Sequence, residues 1–369
     1  MEMNGNSKAA FAASALLATL IVVVISGCNV AEEARTSDIK ITNASIRSIS
    51  ASGSTAIQPL IDRWGKDYEK SHPMEVNYRP TGSGAGIDNL RHGYGAFAAS
   101  DAPLADNQLT GLPAIVQIPV TAGPVCIAYN LPGLKAPLKL SGTTLAGIFL
   151  SDIISWQDPA IARDNPGVAL PHQAIFVVHR ADGSGTTKIL SSYLSKVSPA
   201  WSSKLGTGLT LKWPAGIAVS GSSAVGKTIL DTAGTIGYIE LTFARTSGLS
   251  VASVKNNAGE WIAPSPASAY AAVVAADDIL TKDLRAPIVD PPATAKDAYP
   301  ITGITFILIP KDNPSTDGEQ EALKDYINYT LTAGQDAAGE LSYAKLPDPV
   351  QRAAEVLLSQ LTDNGKPIQ

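Results

Sequence analysis

Four times in this chain of 369 residues, a short apolar run leads into a loop of glycine and hydroxyl residues, which leads in turn into a helix signal. The loops are Ala51-Ser52-Gly53-Ser54-Thr55-Ala56, Pro80-Thr81-Gly82-Ser83-Gly84-Ala85-Gly86, Ala98-Ala99-Ser100-Asp101-Ala102-Pro103 and Arg180-Ala181-Asp182-Gly183-Ser184-Gly185-Thr186-Thr187. Strands alternating with helices build α/β units around largely parallel sheets, because a parallel partner is reached only through a crossover. Periodicity between the loops agrees. Met74, Val76 and Tyr78 alternate as in a half-buried strand, while Leu60, Ile61, Trp64 and Tyr68 fall at helical spacing behind Pro59. Residues 174–179 read as a strand, and Ile189, Leu190, Tyr193, Leu194 and Val197 as the helix that follows.

Residues 114–129 and 299–310 are apolar runs longer than an ordinary strand of five or six residues. Read as crossings between two lobes, they divide the chain into lobe one, 45–127 plus 300–369, and lobe two, 128–299. The Ala/Pro/Ser-rich stretch 263–272 and the Asp290-Pro291-Pro292 turn read as loops inside lobe two.

The loops have a common chemistry. Glycine lets backbone approach a ligand closely, a helix N-terminus offers unsatisfied N–H groups, and Ser and Thr hydroxyls donate as well as accept. Together they make a site for a small oxyanion without massed Lys or Arg. At the carboxyl ends of parallel strands such loops line one crevice. Any one of them, taken alone, is also what a helix cap or a tight turn looks like.

Composition removes several classes. Charged residues are only 17% of the chain and 28 Lys+Arg stand against 33 Asp+Glu, too few and too balanced for disorder or for a broad nucleic-acid surface. Four scattered His and two Cys leave no metal spacing, and no cofactor is expected. Cys126, in Pro124-Val125-Cys126-Ile127-Ala128, reads as an inert thiol in a buried strand. Gly221-Ser222-Ser223-Ala224-Val225-Gly226-Lys227-Thr228 satisfies the nucleotide P-loop pattern, with Ile217-Ala218-Val219 before it as a candidate strand. No acidic strand for Mg²⁺ accompanies it. A phosphoester hydrolase would need a nucleophile with its base or paired metals, and neither shows, so an enzyme is not expected. His179, beside Arg180, reads as a structural strand-end residue.

The leader adds location. Residues 9–25 carry no charge and are followed by Ile25-Ser26-Gly27-Cys28, a pattern that resembles the bacterial lipobox. The resemblance implies a cleaved signal of residues 1–27, lipid on Cys28, a tether over 28–44, and an extracytoplasmic protein held to a bilayer. An uncleaved membrane anchor is the alternative.

The four loops, with Gly234-Thr235-Ile236-Gly237-Tyr238-Ile239-Glu240 and the 343–350 tail, resemble the phosphate-binding proteins of the phosphate ABC importer, over about residues 48–350. That resemblance implies a two-lobed periplasmic-binding-protein fold hinged on two crossing strands. It implies capture of inorganic phosphate and delivery to transmembrane permease subunits. By position it gives phosphate oxygens to Thr55, the N–H of Ala56, Ser83, Arg180, Ser184, Gly185 and Thr186, with Asp182 holding the Arg180 fork. Ala56 stands where relatives can carry an aromatic, and Gly84 where some carry a second Ser. Asp101 is the discriminating residue: an ionised carboxylate accepts the hydrogen of a P–OH, whereas sulfate offers none. Alone, Asp101 also reads as the N-cap of a helix starting at Pro103. A receptor for sulfate, molybdate or arsenate is the other reading within the class.

Overall fold

The computed structural model describes residues 47–313 and 318–368. The leader, Cys28 and the tether lie outside the described residues. Contacts divide the chain into a unit over 1–43 and a unit over 44–369. All that follows concerns the second.

Its first half alternates as the sequence suggests: β1 (Arg47–Gly53), α1 (Gln58–Glu69), β2 (Met74–Arg79), α2 (Ser83–Arg91), β3 (Phe97–Ser100) and then the long β4 (Ile115–Tyr129). In α1, Leu60, Ile61, Trp64 and Tyr68 are buried on one face, so the 3.6-residue period is what packs it. Further along come β5 (Phe176–Arg180), α3 (Gly185–Val197), β6 (Ile217–Val219), α4 (Ser222–Asp231) and β7 (Thr235–Glu240). Helix α5 (Pro266–Val274) precedes the second crossing strand, β8 (Thr302–Pro310).

These strands form one path in the order β2-β1-β3-β8-β4-β7-β5-β6. Pairings β1–β2, β1–β3, β5–β6 and β5–β7 are parallel, whereas β8 runs antiparallel to both β3 and β4. Among the described residues two large cores and a smaller third one hang on this ribbon. Val116, Ile118, Val120 and Ala122 of β4 join Trp64, Phe97, Phe306 and Tyr326 in the first. Val125, Ile127 and Tyr129 join Trp156, Tyr193, Trp201 and Tyr238 in the second. β4 therefore changes core at Gly123-Pro124, which pair with Gly303 and Thr302 of β8. Both faces of β4 are covered, which is why its sequence is a continuous apolar run and not an alternating one.

One segment departs from the sequence reading. The 263–272 stretch is no loop of lobe two: Ser265 caps α5 through a reciprocal pair with Ser268, Pro266 opens the helix, and Ala269 and Val273 pack into the first core. Ala276, Leu280, Leu284 and Ile288 follow them there. The alanine-rich composition is a good helix former once Ser and Pro supply the start.

Candidate functional site

The first, second and fourth loops leave the ends of β1, β2 and β5 and enter helices, while the third follows β3, and all of them meet between the two cores. Ser83 opens α2, and its Oγ lies 3.2 Å from the Gly185 nitrogen and 3.4 Å from the Asp101 nitrogen, accepting from both. The Gly84 N–H donates to Gly183 O at 2.9 Å. Thr55 Oγ1 accepts the Ser222 N–H at 3.2 Å and shares a hydrogen with Ser222 Oγ at 2.8 Å. Thr55, Ala56, Ser83, Asp101, Arg180, Ser184, Gly185 and Thr186 are all buried in this convergence.

The partners each residue already has decide what it can offer. Ser184 caps α3, its Oγ accepting the Thr187 N–H while its own N–H goes to Leu209 O, so the hydroxyl hydrogen is what remains. The Ala56 N–H donates to Ser54 Oγ at 3.0 Å, and Tyr343 and Tyr78 hold the same loop by donating to Ala56 O and Ser54 O. The Thr186 hydroxyl donates to Glu240 Oε1. Its amide sits in the first turn of α3, where the helix supplies no partner.

Arg180 and Asp182 form a two-point pair, Nε to Oδ1 at 2.6 Å and Nη2 to Oδ2. Burial by itself would raise the Asp182 carboxyl, but the Arg180 guanidinium and the Gly221 N–H hold it below its ordinary value. The remaining Arg180 Nη1 reaches Ser222 Oγ at 3.4 Å. Asp101 is 5% exposed and accepts from Ser54 Oγ at 2.5 Å and Thr305 Oγ1 at 2.9 Å. Burial, then the charge of Glu240, push its carboxyl up to about 6, against the pull of those two hydroxyls and Arg180. Asp101 caps nothing: residues 103–105 are not helical, and the short turn Asp106–Gln108 begins after Ala105.

What this geometry can do is surround a small oxyanion with hydroxyls, helix-start amides and a half-neutralised guanidinium from two sides, with the carboxylates of Asp101 and Glu240 among them. The comparisons bear on the same point. A model of the PBP superfamily domain matches residues 30–333. Phosphate-binding protein PstS of Xylella fastidiosa (strain Temecula1) is 36% identical over 94% of this chain and 98% of its own length. That of Pasteurella multocida (strain Pm70) is 37% identical over 82% of this chain and 88% of its own. The chain belongs to the PstS family. A solved high-affinity periplasmic phosphate-binding protein, bound with phosphate at pH 8.5, shares the fold with a TM-score of 0.68 at 21% identity, over 84% of this chain and 93% of that one.

In this PstS-family protein four residues at the convergence went unassigned by sequence reasoning: Ser54, Ser222, Glu240 and Thr305. Ser54 lay in the first loop and Glu240 at the end of the 234–240 stretch, so both were in view without a role. Ser222 was hidden inside the P-loop pattern. Thr305 sits in mid-strand in β8, where nothing local marks it. The P-loop pattern itself is resolved by geometry. Ile217–Val219 is a strand, but Ser222–Asp231 is already helix, leaving Ser220 and Gly221 as the whole connection. So short a link has no run of free N–H groups to wrap a polyphosphate, and the exposed Lys227 pairs with Asp231 instead. His179 stacks on Trp213 with ring centroids 4.9 Å apart, a packing role. Cys126 is a buried free thiol, and burial pushes its pKa up.

Proposed function

We propose that this chain captures inorganic phosphate between its lobes and delivers it to the membrane permease of an ABC-type importer. The observation that carries the reading is a buried carboxylate, Asp101, set among donors that arrive from both cores. Thr55, the Ala56 N–H, Ser83, Arg180, Ser184 and the amides of Gly185 and Thr186 are the donors, and on binding they exchange protein partners for phosphate oxygens. Asp101 accepts the P–OH hydrogen, and Asp182 keeps the Arg180 fork in place. Relatives that bear the name of phosphate-binding protein over nearly the whole chain support the same ligand. Contacts from both lobes favour the closed state over the open one, which is what ligand-driven closure about β4 and β8 requires.

In this reading residues 1–27 direct export and Cys28 carries the lipid. Among the described residues no helix is long and apolar enough to cross a membrane. Mass spectrometry of the mature N-terminus checks the anchor. The ligand is checked by calorimetric titration of phosphate and sulfate into the full-length chain. Phosphate is expected to bind and sulfate not to compete; heat from sulfate alone would remove the reading.

A further inference from the structure

The convergence around Asp101 is not sealed on every side. A cavity of about 580 Å³ reaches Asp101 between the third loop and α3, with Ile189 and Gly303 in its wall beside Lys188, Lys196 and Arg285. A second cavity, of about 340 Å³, adjoins it, and Pro103, Leu104, Lys188 and Thr207 line both. Three cations among the described residues face the first cavity, and two of them are already paired. Arg285 donates to Asp106 at 2.7 Å and to Asp283 at 3.1 Å. Lys196 donates to the carbonyl oxygens of Val289 and Asp290, with the Asp290 carboxylate 3.8 Å away.

Lys188 differs. Its ammonium has one hydroxyl partner, Thr207 Oγ1, and no carboxylate partner among the described residues. Burial alone pulls its pKa down, and it stays charged near neutral pH. It is also the fourth residue of α3, and a helix start favours negative charge over positive. A half-buried cation set against the helix dipole and without a counter-charge is destabilising on its own account. The incoming anion is the counter-charge it lacks.

Building on the phosphate reading, we propose that Lys188 is the entry contact of the receptor: an outer oxyanion station on the wall of the cavity that leads to Asp101, where phosphate pairs before the four loops take it. The station accepts any small oxyanion, because an ammonium is a point charge that reads no hydrogen on its guest. Discrimination stays with Asp101. Largely apolar walls extend the reach of the lysine, since low-dielectric surroundings focus the field of a lone charge. An ion that leaves by the same route passes the station again, so Lys188 speeds entry and exit together.

The test is stopped-flow measurement of inorganic phosphate binding to and leaving the full-length chain, at low and at physiological ionic strength. The variants are Lys188→Met, Lys188→Arg, Thr207→Val and Lys196→Met. In K188M association is expected to slow about tenfold at low salt and to lose most of its salt dependence. Dissociation should slow as well, so that Kd moves less than the association rate. Lys188→Arg keeps the charge and Thr207→Val removes only the hydroxyl tie, so both should bind at the wild-type rate. Lys196→Met deletes a cation that is already paired and should slow association far less than K188M. An unchanged association rate in K188M, or equal slowing in Thr207→Val or in Lys196→Met, overturns the station. Faster dissociation in K188M overturns it too, since the lysine would then hold the bound ion. In all these cases phosphate still binds and the phosphate reading stands. A wild-type chain that binds no phosphate overturns that reading, and the station with it.

Discussion

The selectivity proposed for Asp101 depends on its burial. In a wet site a carboxylate facing an oxyanion would be screened; here it is 5% exposed and its lone pairs are committed to Ser54, Thr305 and whatever hydrogen the ligand brings. Asp101→Asn keeps the shape, supplies an N–H where only an acceptor stood, and should retain phosphate while admitting sulfate. Discrimination near ~10⁴ is what one decisive polar partner can supply, and the variant should lose at least about tenfold of it. Competition calorimetry measures this. Because the folded carboxyl is raised to about 6, protonation removes the acceptor on the acid side, so wild-type affinity should rise with pH through that value. The asparagine variant, having nothing to titrate there, should show no acid limb. Asp101 was legible in the sequence because it follows a strand beside Gly-rich loops. Thr305 and Glu240 were not, since a hydroxyl in mid-strand and an acid at a strand end look ordinary until the fold carries them next to Asp101.

Helix α3 shows how an element can be built against its own local preference. Gly185 is its first residue, and its backbone is outside the left-handed region that would call for glycine. A Cβ there would stand 2.6 Å from Asp101 Cβ and 2.8 Å from both Asp101 N and Ser83 Oγ. The glycine is kept for the approach of the opposite loops. Gly185→Ala should therefore leave the melting temperature unchanged or higher while phosphate affinity falls by about tenfold or more. Differential scanning calorimetry and titration on the same sample separate these outcomes; equal loss in both would mean that the glycine serves only the fold. Strands and helices whose apolar period was regular, such as α1 and α3, were readable in advance. Helix α5 was not, because Ala-Pro-Ser composition matches a loop until the Ser265–Ser268 cap and burial of Ala269 and Val273 are seen.

At the scale of the molecule the length of two apolar runs points to crossings between lobes, and the family resemblance adds the hinge, but what lets the halves meet lies between them. Gly303 of β8 faces Ile189 of α3, and a Cβ at residue 303 would lie 2.1 Å from Ile189 Cδ1 and 2.6 Å from its Cγ1. A strand interior gains nothing from glycine, which weakens it, so this one marks a close approach of one lobe to a crossing strand of the other. Gly303→Ala should hold the lobes apart: small-angle scattering with saturating phosphate should then show no compaction, and affinity should drop. The closed state gives way because its packing tolerates no added methyl, while the strand itself barely notices one. Ile189→Ala in the same chain removes the obstructing side chain, so the double variant should regain most of the compaction. Were the single variant to close as wild type does, Ile189 would have another rotamer to retreat into, and closure would not depend on this contact.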